Sequence, residues 1–417
     1  MDAKLHTPEG VKDYLPYEAA FKTEIARNIE TVFYRYGFLP VSSPTFEYTE
    51  VFEGNGGLNP KQMYKFIDRD SSTLVLRADM TPAIARIAAT AYEKDDIPLR
   101  FYYFENIFRY NEHYQGKLRE SAQAGVELIG VNSSDADAEV IAVSVNSLLS
   151  CGLKDFKICI GQVQFFYGVL EEGGFDKETC EKIRKFTVEK DYSAVRKLVE
   201  ESGAPDNIKT LFKELPLLIG GRKIIERARE LVNSQKAKDA LSDLENIYQI
   251  LTEYRVENFI SFDLSIIGLY YYTGIIFRGY ADGTGFSVIN GGRYDKLLQN
   301  YGADYPAVGF AIKINNLLTA LESQNIFVKG EKADTLLMYT KEGRGTALHA
   351  SDELRSQGLN IENSLLGDDF EKNKEYAKNK DMGGILYFLN SEDVRIINLE
   401  QDTVSDIKIS ELLKGEA

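Results

Sequence analysis

Three segments rich in β-branched and aromatic residues, Thr73–Ala78, Leu99–Arg109 and Ala122–Ile129, follow one another between polar clusters without regular crossover helices. They read as strands of a forming sheet. Ahead of it, Glu18 to Tyr36 sets Phe21, Ile25, Ile29, Val32 and Phe33 on one face at helical spacing, with Gly37 as a stop. That is an amphipathic helix packed on a core. Behind it, Ser134 to Leu149 is again helical, with Asp135 and Asp137 early and Gly152 just past the end, and Asp155–Gly161 reads as another strand.

From about Glu171 to Tyr254 the chain is Lys/Glu-rich with helical spacing, as at Ile224, Ala228, Leu231 and Val232, which marks a mostly helical insertion. Phe259–Ile267 alternates apolar with polar residues and predicts a strand with one buried and one polar face. Gly274–Tyr280 and Phe286–Ile289 flank Asp282-Gly-Thr-Gly285, a hairpin signal. In Asn290-Gly-Gly-Arg293 an ordinary turn is the default and a phosphate-facing loop the alternative. Beyond Gly330 the pattern changes to strands and helices in alternation (335–339, 346–356, a strand, 370–380, 385–389, 394–399), a small α/β unit.

Apolar residues make up 44% and charged residues 27% of the 417, enough for a sizeable core. Lys and Arg number 49 against 64 Asp and Glu, a net charge of −15 that argues against broad contact with nucleic acid or an anionic membrane. Cys151, Cys159 and Cys180 form no C-x-x-C pair, and His6, His113 and His349 are scattered, so neither a disulfide framework, a metal site nor a catalytic histidine is expected. No apolar run has the length of a membrane helix, and the N-terminus has no leader pattern. The expectation is a soluble protein of a reducing cytoplasm.

Polar groups concentrate on four stretches, all read as strands: Leu76-Arg-Ala-Asp-Met-Thr-Pro82, Phe108-Arg109, Gln123-x-x-x-Glu127 and Gly268-Leu-Tyr-Tyr-Tyr-Thr-Gly274. Gln123 and Glu127 are four apart and so share a strand face. Asp79, Thr81, Arg109, Gln123, Glu127, Tyr271 and Tyr272 could together bind a zwitterion with a basic side chain, carboxylates taking the cationic groups and the guanidinium an anion. The plainer alternative is a structural Arg109–Glu127 ion pair with tyrosines filling the core.

In order along the chain, these segments resemble the catalytic core of class II histidyl-tRNA synthetases over residues 5 to 322. Pro44 stands at the motif 1 proline, Phe101 to Gly130 looks like motif 2, and Leu269-Tyr-Tyr-Tyr-Thr-Gly274 is similar to the histidine-specific Leu-Asp-Tyr-Tyr-Thr-Gly element. Gly291-Gly-Arg-Tyr-Asp295 and Pro306-Ala-Val-Gly-Phe-Ala311 resemble the approach to motif 3. The departures are orderly. Ile267 replaces the arginine before Gly-Leu, and Lys313-Ile-Asn315-Asn316-Leu317 replaces Gly-Leu-Glu-Arg-Leu. Motif 2 carries Asn111-Glu112-His113 and Ser121-Ala122-Gln123 instead of the synthetase residues. Adenylate formation builds charge on the α-phosphate, and each preorganised cation there is worth on the order of 10²–10³ in rate, so two lost guanidiniums should abolish aminoacylation.

Leu76-Arg-Ala-Asp79-Met-Thr81-Pro82-x-x-Ala85-Arg86 looks like the synthetase paralogues that serve as regulatory subunits of ATP phosphoribosyltransferase. The resemblance implies an α+β fold with a class II synthetase-like antiparallel sheet and flanking helices. Its domains would be a core (1–170 and 255–325), a helical insertion (171–254) and a small C-terminal α/β domain (331–417). It further implies no catalysis and no cofactor, a short-form catalytic subunit as partner, histidine as effector, and a homodimer within a hetero-oligomer; an active histidyl-tRNA synthetase and a stand-alone histidine-binding module are the alternatives. The C-terminal unit has 11 Lys and Arg against 18 Asp and Glu, an unusual balance for an RNA-reading surface, which fits the absence of tRNA.

Overall fold

Helix α1 (Pro16–Arg35) begins at a proline, whose missing N–H costs nothing in the first turn, and buries Phe21, Ile25, Ile29 and Phe33 along one face. The chain leaves it through Gly37 at φ +78°, a conformation that disfavours other residues. This computed structural model describes residues 3–53, 59–110, 118–268, 271–327 and 333–413. Strand β1 (Leu39–Pro40) precedes a separate antiparallel sheet of β2 (Phe46–Tyr48), β3 (Lys65–Ile67) and β4 (Thr73–Leu76). The strand expected through Pro82 stops at Leu76, and Asp79 to Thr81 lie on the turn into α2 (Thr81–Ala91). Pro82 cannot donate to a sheet ladder but suits a helix's first turn.

The long hairpin β5 (Leu99–Phe108) and β6 (Glu120–Ile129) follows, then α3 (Ser134–Ser150), β7 (Phe156–Gln162) and α4 (Val163–Gly173). Helices α5 (Lys177–Val188), α6 (Tyr192–Glu201), α7 (Asp206–Glu214), α8 (Lys223–Leu231) and α9 (Gln235–Glu253) come next, with the two-residue strand β8 (Ile219–Gly220) among them. Asp176, Asp191 and Ser234 cap three of these helices by accepting a backbone N–H three residues on. The chain closes this unit with β9 (Ile260–Asp263), β10 (Ile275–Ala281), β11 (Ile289–Arg293), β12 (Ala307–Lys313) and α10 (Ile314–Ser323).

Nine strands form one sheet in the order β1-β5-β6-β12-β11-β10-β7-β9-β8. The pairs β1–β5 and β7–β9 are parallel and the other pairs antiparallel. On β6, Ala122, Ala124, Val126 and Leu128 enter the main core together with Phe21, Phe33 and Val140 from α1 and α3. The opposite face meets a smaller cluster containing Met80, Ile84, Phe101, Tyr103 and Tyr294, and the candidate site opens there.

Two expectations change here. The strand predicted over 259–267 ends at Asp263, whose Oδ1 accepts from Ser265 N at 2.9 Å and Ser265 Oγ at 2.6 Å, turning the chain so that Leu264, Ile266 and Ile267 are all buried. Asn290 to Arg293 is neither a turn nor a phosphate-facing loop but most of β11. A Cβ on Gly292 would lie 2.7 Å from the Tyr272 ring and from the Ile275 carbonyl, so glycine is required there for packing.

The chain divides into two compact units, Met1–Val328 and Lys329–Ala417. The second contains β13 (Thr335–Tyr339), α11 (Arg344–Ser356), β14 (Ile361–Asn363), α12 (Phe370–Asn379), β15 (Gly384–Phe388), β16 (Asp393–Asn398), β17 (Thr403–Lys408) and α13 (Ile409–Leu412), in the sheet order β14-β13-β15-β16-β17. Strand β17 escapes a sequence reading because it is an exposed edge without an apolar face. An Arg395–Asp406 ion pair at 2.7 Å ties it to β16. No described helix is long and apolar enough to cross a membrane.

Candidate functional site

Period-2 alternation on β6 puts Gln123, Gly125 and Glu127 on the face away from the main core. Glu127 is 1% exposed. Its Oε1 accepts from Thr81 Oγ1 at 2.7 Å, and its Oε2 accepts from the Tyr294 hydroxyl. Burial pushes its carboxyl up to about 8 although both hydrogen bonds pull it down, and nearby Asp79 adds to the rise. At neutral pH this carboxyl therefore carries a proton in the unliganded chain.

Asp79 sits on the turn before α2, with Oδ1 accepting from Met80 N at 2.8 Å and Oδ2 from Arg109 Nη2 at 2.8 Å. Arg109 Nε also donates to the Ala78 carbonyl at 2.6 Å. The ion pair read as Arg109–Glu127 is thus Arg109–Asp79, because the turn before α2, and not the strand, carries the carboxylate that the guanidinium reaches. Gln123 is 5% exposed, and its Oε1 has no hydrogen-bond partner among the described residues.

Tyr271 and Tyr272 lie between β9 and β10 with ring centroids 4.7 Å apart, and Tyr271 meets Tyr294 edge-on at 6.1 Å. Burial raises all three hydroxyls, so they remain protonated. Leu269 and Tyr270 of the same element, and Asn111, Glu112 and His113 of the motif 2 segment, lie outside the described residues. The loop is fastened through Thr273: its N donates to the Arg293 carbonyl at 2.8 Å and its Oγ1 to Asp295 Oδ2 at 2.9 Å. Arg293 in turn bridges Asp295 at 3.0 Å and the buried Asp137 of α3 at 2.7 Å. Burial lifts the Asp137 carboxyl to about 6 against the pull of that guanidinium.

All seven sequence-predicted residues, Asp79, Thr81, Arg109, Gln123, Glu127, Tyr271 and Tyr272, line one cavity of about 70 Å³. Tyr294, Asn290, Gly309 and Lys313 line it as well and escaped the sequence reading. Each stood in a stretch the sequence singled out, Asn290 and Tyr294 in Asn290-Gly-Gly-Arg-Tyr-Asp295, Gly309 in Pro306-Ala-Val-Gly-Phe-Ala311 and Lys313 in the altered motif 3, but none was read as a site residue. Arg109, Gln123 and Lys313 also border a second cavity of about 510 Å³. There Asn316 donates to the Ser287 carbonyl at 2.8 Å and Asn315 to the Tyr14 hydroxyl. Arg109 is the one guanidinium among the described residues lining that larger cavity. Ile267 is 3% exposed and packs in the main core, facing neither cavity. No three His, Cys, Asp or Glu side chains among the described residues converge as metal ligands.

The arrangement can hold an amino acid: acidic and hydroxyl groups for cationic or N–H donors, aromatic walls, and cations at the mouth. Among the described residues, Arg109 is the one guanidinium lining either cavity. A histidyl-tRNA synthetase profile matches residues 10–317. The structure of a Nostoc histidyl-tRNA synthetase superposes with a TM-score of 0.84 over 98% of each chain at 21% identity, which establishes the fold. The chain is thus a class II histidyl-tRNA synthetase-like protein. Within that class, the ATP phosphoribosyltransferase regulatory subunit of Acetivibrio thermocellus is 42% identical over 414 residues, 99% of each chain, and that of Ruminiclostridium cellulolyticum 35% identical over 415 residues, again 99% of each. A Bacillus halodurans structure described as an ATP phosphoribosyltransferase regulatory subunit/histidyl-tRNA synthetase is 31% identical, with a TM-score of 0.82 over 92% of this chain and 98% of that one. This chain belongs to the family of ATP phosphoribosyltransferase regulatory subunits, non-catalytic members of an enzyme complex.

Proposed function

We propose that this chain pairs with a short-form ATP phosphoribosyltransferase catalytic subunit, is required for its joining of ATP to phosphoribosyl pyrophosphate, and makes that first step of histidine biosynthesis sensitive to histidine. The observation that carries the reading is the split between the two cavities. The inner one keeps a buried, hydrogen-bonded carboxyl group in Glu127 and an ion-paired carboxylate in Asp79. The outer one has Asn316 at the motif 3 arginine position. A pocket for an amino acid beside a disabled nucleotide site suits a sensor and not a ligase.

In this reading Glu127 and Tyr271 meet the imidazole of free histidine, and Asp79, Thr81 and Gln123 meet its α-amino group. The chain acts in the cytoplasm as a homodimer through the motif 1 region, within a hetero-oligomer and without tRNA. Residues 1–170 and 255–325 form the synthetase-like core, 171–254 the helical insertion and 331–417 the C-terminal domain.

Feedback of this kind requires a coupling free energy, typically ~1–3 kcal/mol, carried by a subunit interface with two arrangements. If histidine favours an inhibited complex that binds phosphoribosyl pyrophosphate poorly, phosphoribosyl pyrophosphate must weaken histidine binding by the same factor. The test mixes this chain with the catalytic subunit and measures activity and histidine affinity with and without phosphoribosyl pyrophosphate. Full activity and unchanged histidine inhibition of the catalytic subunit alone overturn the reading.

A further inference from the structure

An amino acid in the inner cavity brings a carboxylate that must be paired, since an uncompensated charge out of water is expensive. The deep end cannot take it: Asp79 and Glu127 are both acidic there. Arg109 lines the cavity with its fork turned onto the turn before α2, Nε donating to the Ala78 carbonyl and Nη2 to Asp79, so a carboxylate drawn to it meets the Asp79 carboxylate beside it. Ile267 packs into the main core. The other cation on the wall is Lys313.

Lys313 is the last residue of β12, opposite Gln123 in the antiparallel register, while Glu127 lies opposite Gly309. The two rows are four residues apart, about 13 Å along the strands, so Glu127 and Lys313 line the same cavity from well-separated positions. Lys313 Nζ donates to Ser287 Oγ at 3.0 Å and, with the Asn290 amide oriented to satisfy both its ends, to the Asn290 oxygen at 2.9 Å. These contacts keep the ammonium at the junction of the two cavities.

Local chemistry disfavours a lysine at this position. It is the N-cap of α10, without a side-chain cap hydrogen bond, at the end of a helix where a cation is repelled by the dipole and Ser, Thr, Asp or Asn would be preferred. A residue that breaks a local rule in a cavity wall is the pattern expected of a binding group. A second, independent observation points to a ligand in the same place: Gln123 Oε1, 95% buried on the strand opposite, has no donor among the described residues, and an α-ammonium would supply one.

We propose that Lys313 binds the α-carboxylate of the amino acid held in this cavity, and thereby sets the preference for a free amino acid over a carboxylate-blocked one. The inference rests on the pocket reading given above and adds the anionic subsite to it. A charge-assisted hydrogen bond of this kind is worth about tenfold to a hundredfold in affinity.

The experiment titrates the full chain calorimetrically with L-histidine and with L-histidinamide, whose carboxylate is a neutral amide. The wild-type chain prefers histidine by about tenfold to a hundredfold. Lys313→Met abolishes that preference while keeping histidinamide affinity within about threefold, and Lys313→Arg retains it. If Lys313→Met lowers both affinities equally, or leaves the preference intact, the carboxylate belongs to another group and the inference fails alone. If the wild-type chain binds neither compound, the inference and the pocket reading fail together.

Discussion

Gly309 stands directly across the sheet from Glu127, and a Cβ at that glycine would overlap the Glu127 carboxylate. The buried acid keeps its place between Thr81 and Tyr294 because its strand neighbour has no side chain. We expect Gly309→Ala to cost about 1–3 kcal/mol by overpacking and to reduce histidine binding, since the carboxyl must move. Urea denaturation beside a histidine titration checks both, and a variant with wild-type values in each would show that the site tolerates the displacement.

Glu127 gives the protein a pH dependence with a definite sign. Its folded carboxyl, near 8, holds a proton that the unfolded chain releases near 4.5, so folding stability falls as pH rises between those values, by on the order of 4–5 kcal/mol over the window. Asp137, raised to about 6, acts in the same direction at lower pH. Melting temperatures from pH 6.5 to 8.5 isolate Glu127, and Glu127→Gln should flatten the slope there. A ligand N–H donated to this carboxyl favours its charged form, so histidine binding should release a proton, read as a buffer-dependent calorimetric heat.

The buried Arg293–Asp137 pair joins α3 to β11 and, through Asp295 and Thr273, to the tyrosine loop. Arg293→Met leaves Asp137 buried without its partner and should destabilise the chain by about 3–5 kcal/mol. Adding Asp137→Asn to the same variant should recover part of the loss. Guanidinium denaturation of the two variants decides it, and equal destabilisation would show that the carboxylate finds another partner.

Restoring the synthetase arginine at Ile267 should not restore chemistry. That side chain is in the main core, so Ile267→Arg buries a charge and should cost several kcal/mol, about 3–5 by analogy with other unpaired buried charges. No histidine-dependent ATP–pyrophosphate exchange should appear, alone or combined with Asn316→Arg. Exchange above background in either protein would mean that the core repacks to present the arginine to the outer cavity.

Local periodicity carried the parts of this protein that depend on near neighbours in the chain. The α1 stripe of Phe21, Ile25, Ile29 and Phe33 is buried as its spacing required, and Gln123 and Glu127 share a strand face for the same reason. The motif order likewise exposed the class II fold. What depended on distant neighbours stayed hidden. Asn290-Gly-Gly-Arg293 has the composition of a turn, yet its glycines answer to aromatic rings on adjacent segments, and Arg293 answers to Asp137, 156 residues away. Arg109 and Glu127 form a sensible pair on paper, but the turn before α2 offers Asp79 instead.

Lys313 shows the division most plainly. In sequence it is one substituted position in a motif, and its helix-capping role argues against it. Only the register of β12 against β6 sets this residue across from Gln123 and on the wall of the cavity that Glu127 lines. Side-chain period is a property of a single strand and can be read from residues two or four apart. Which strand lies alongside, and in what register, is decided by packing across hundreds of residues, and that packing determines which charges end up facing one another.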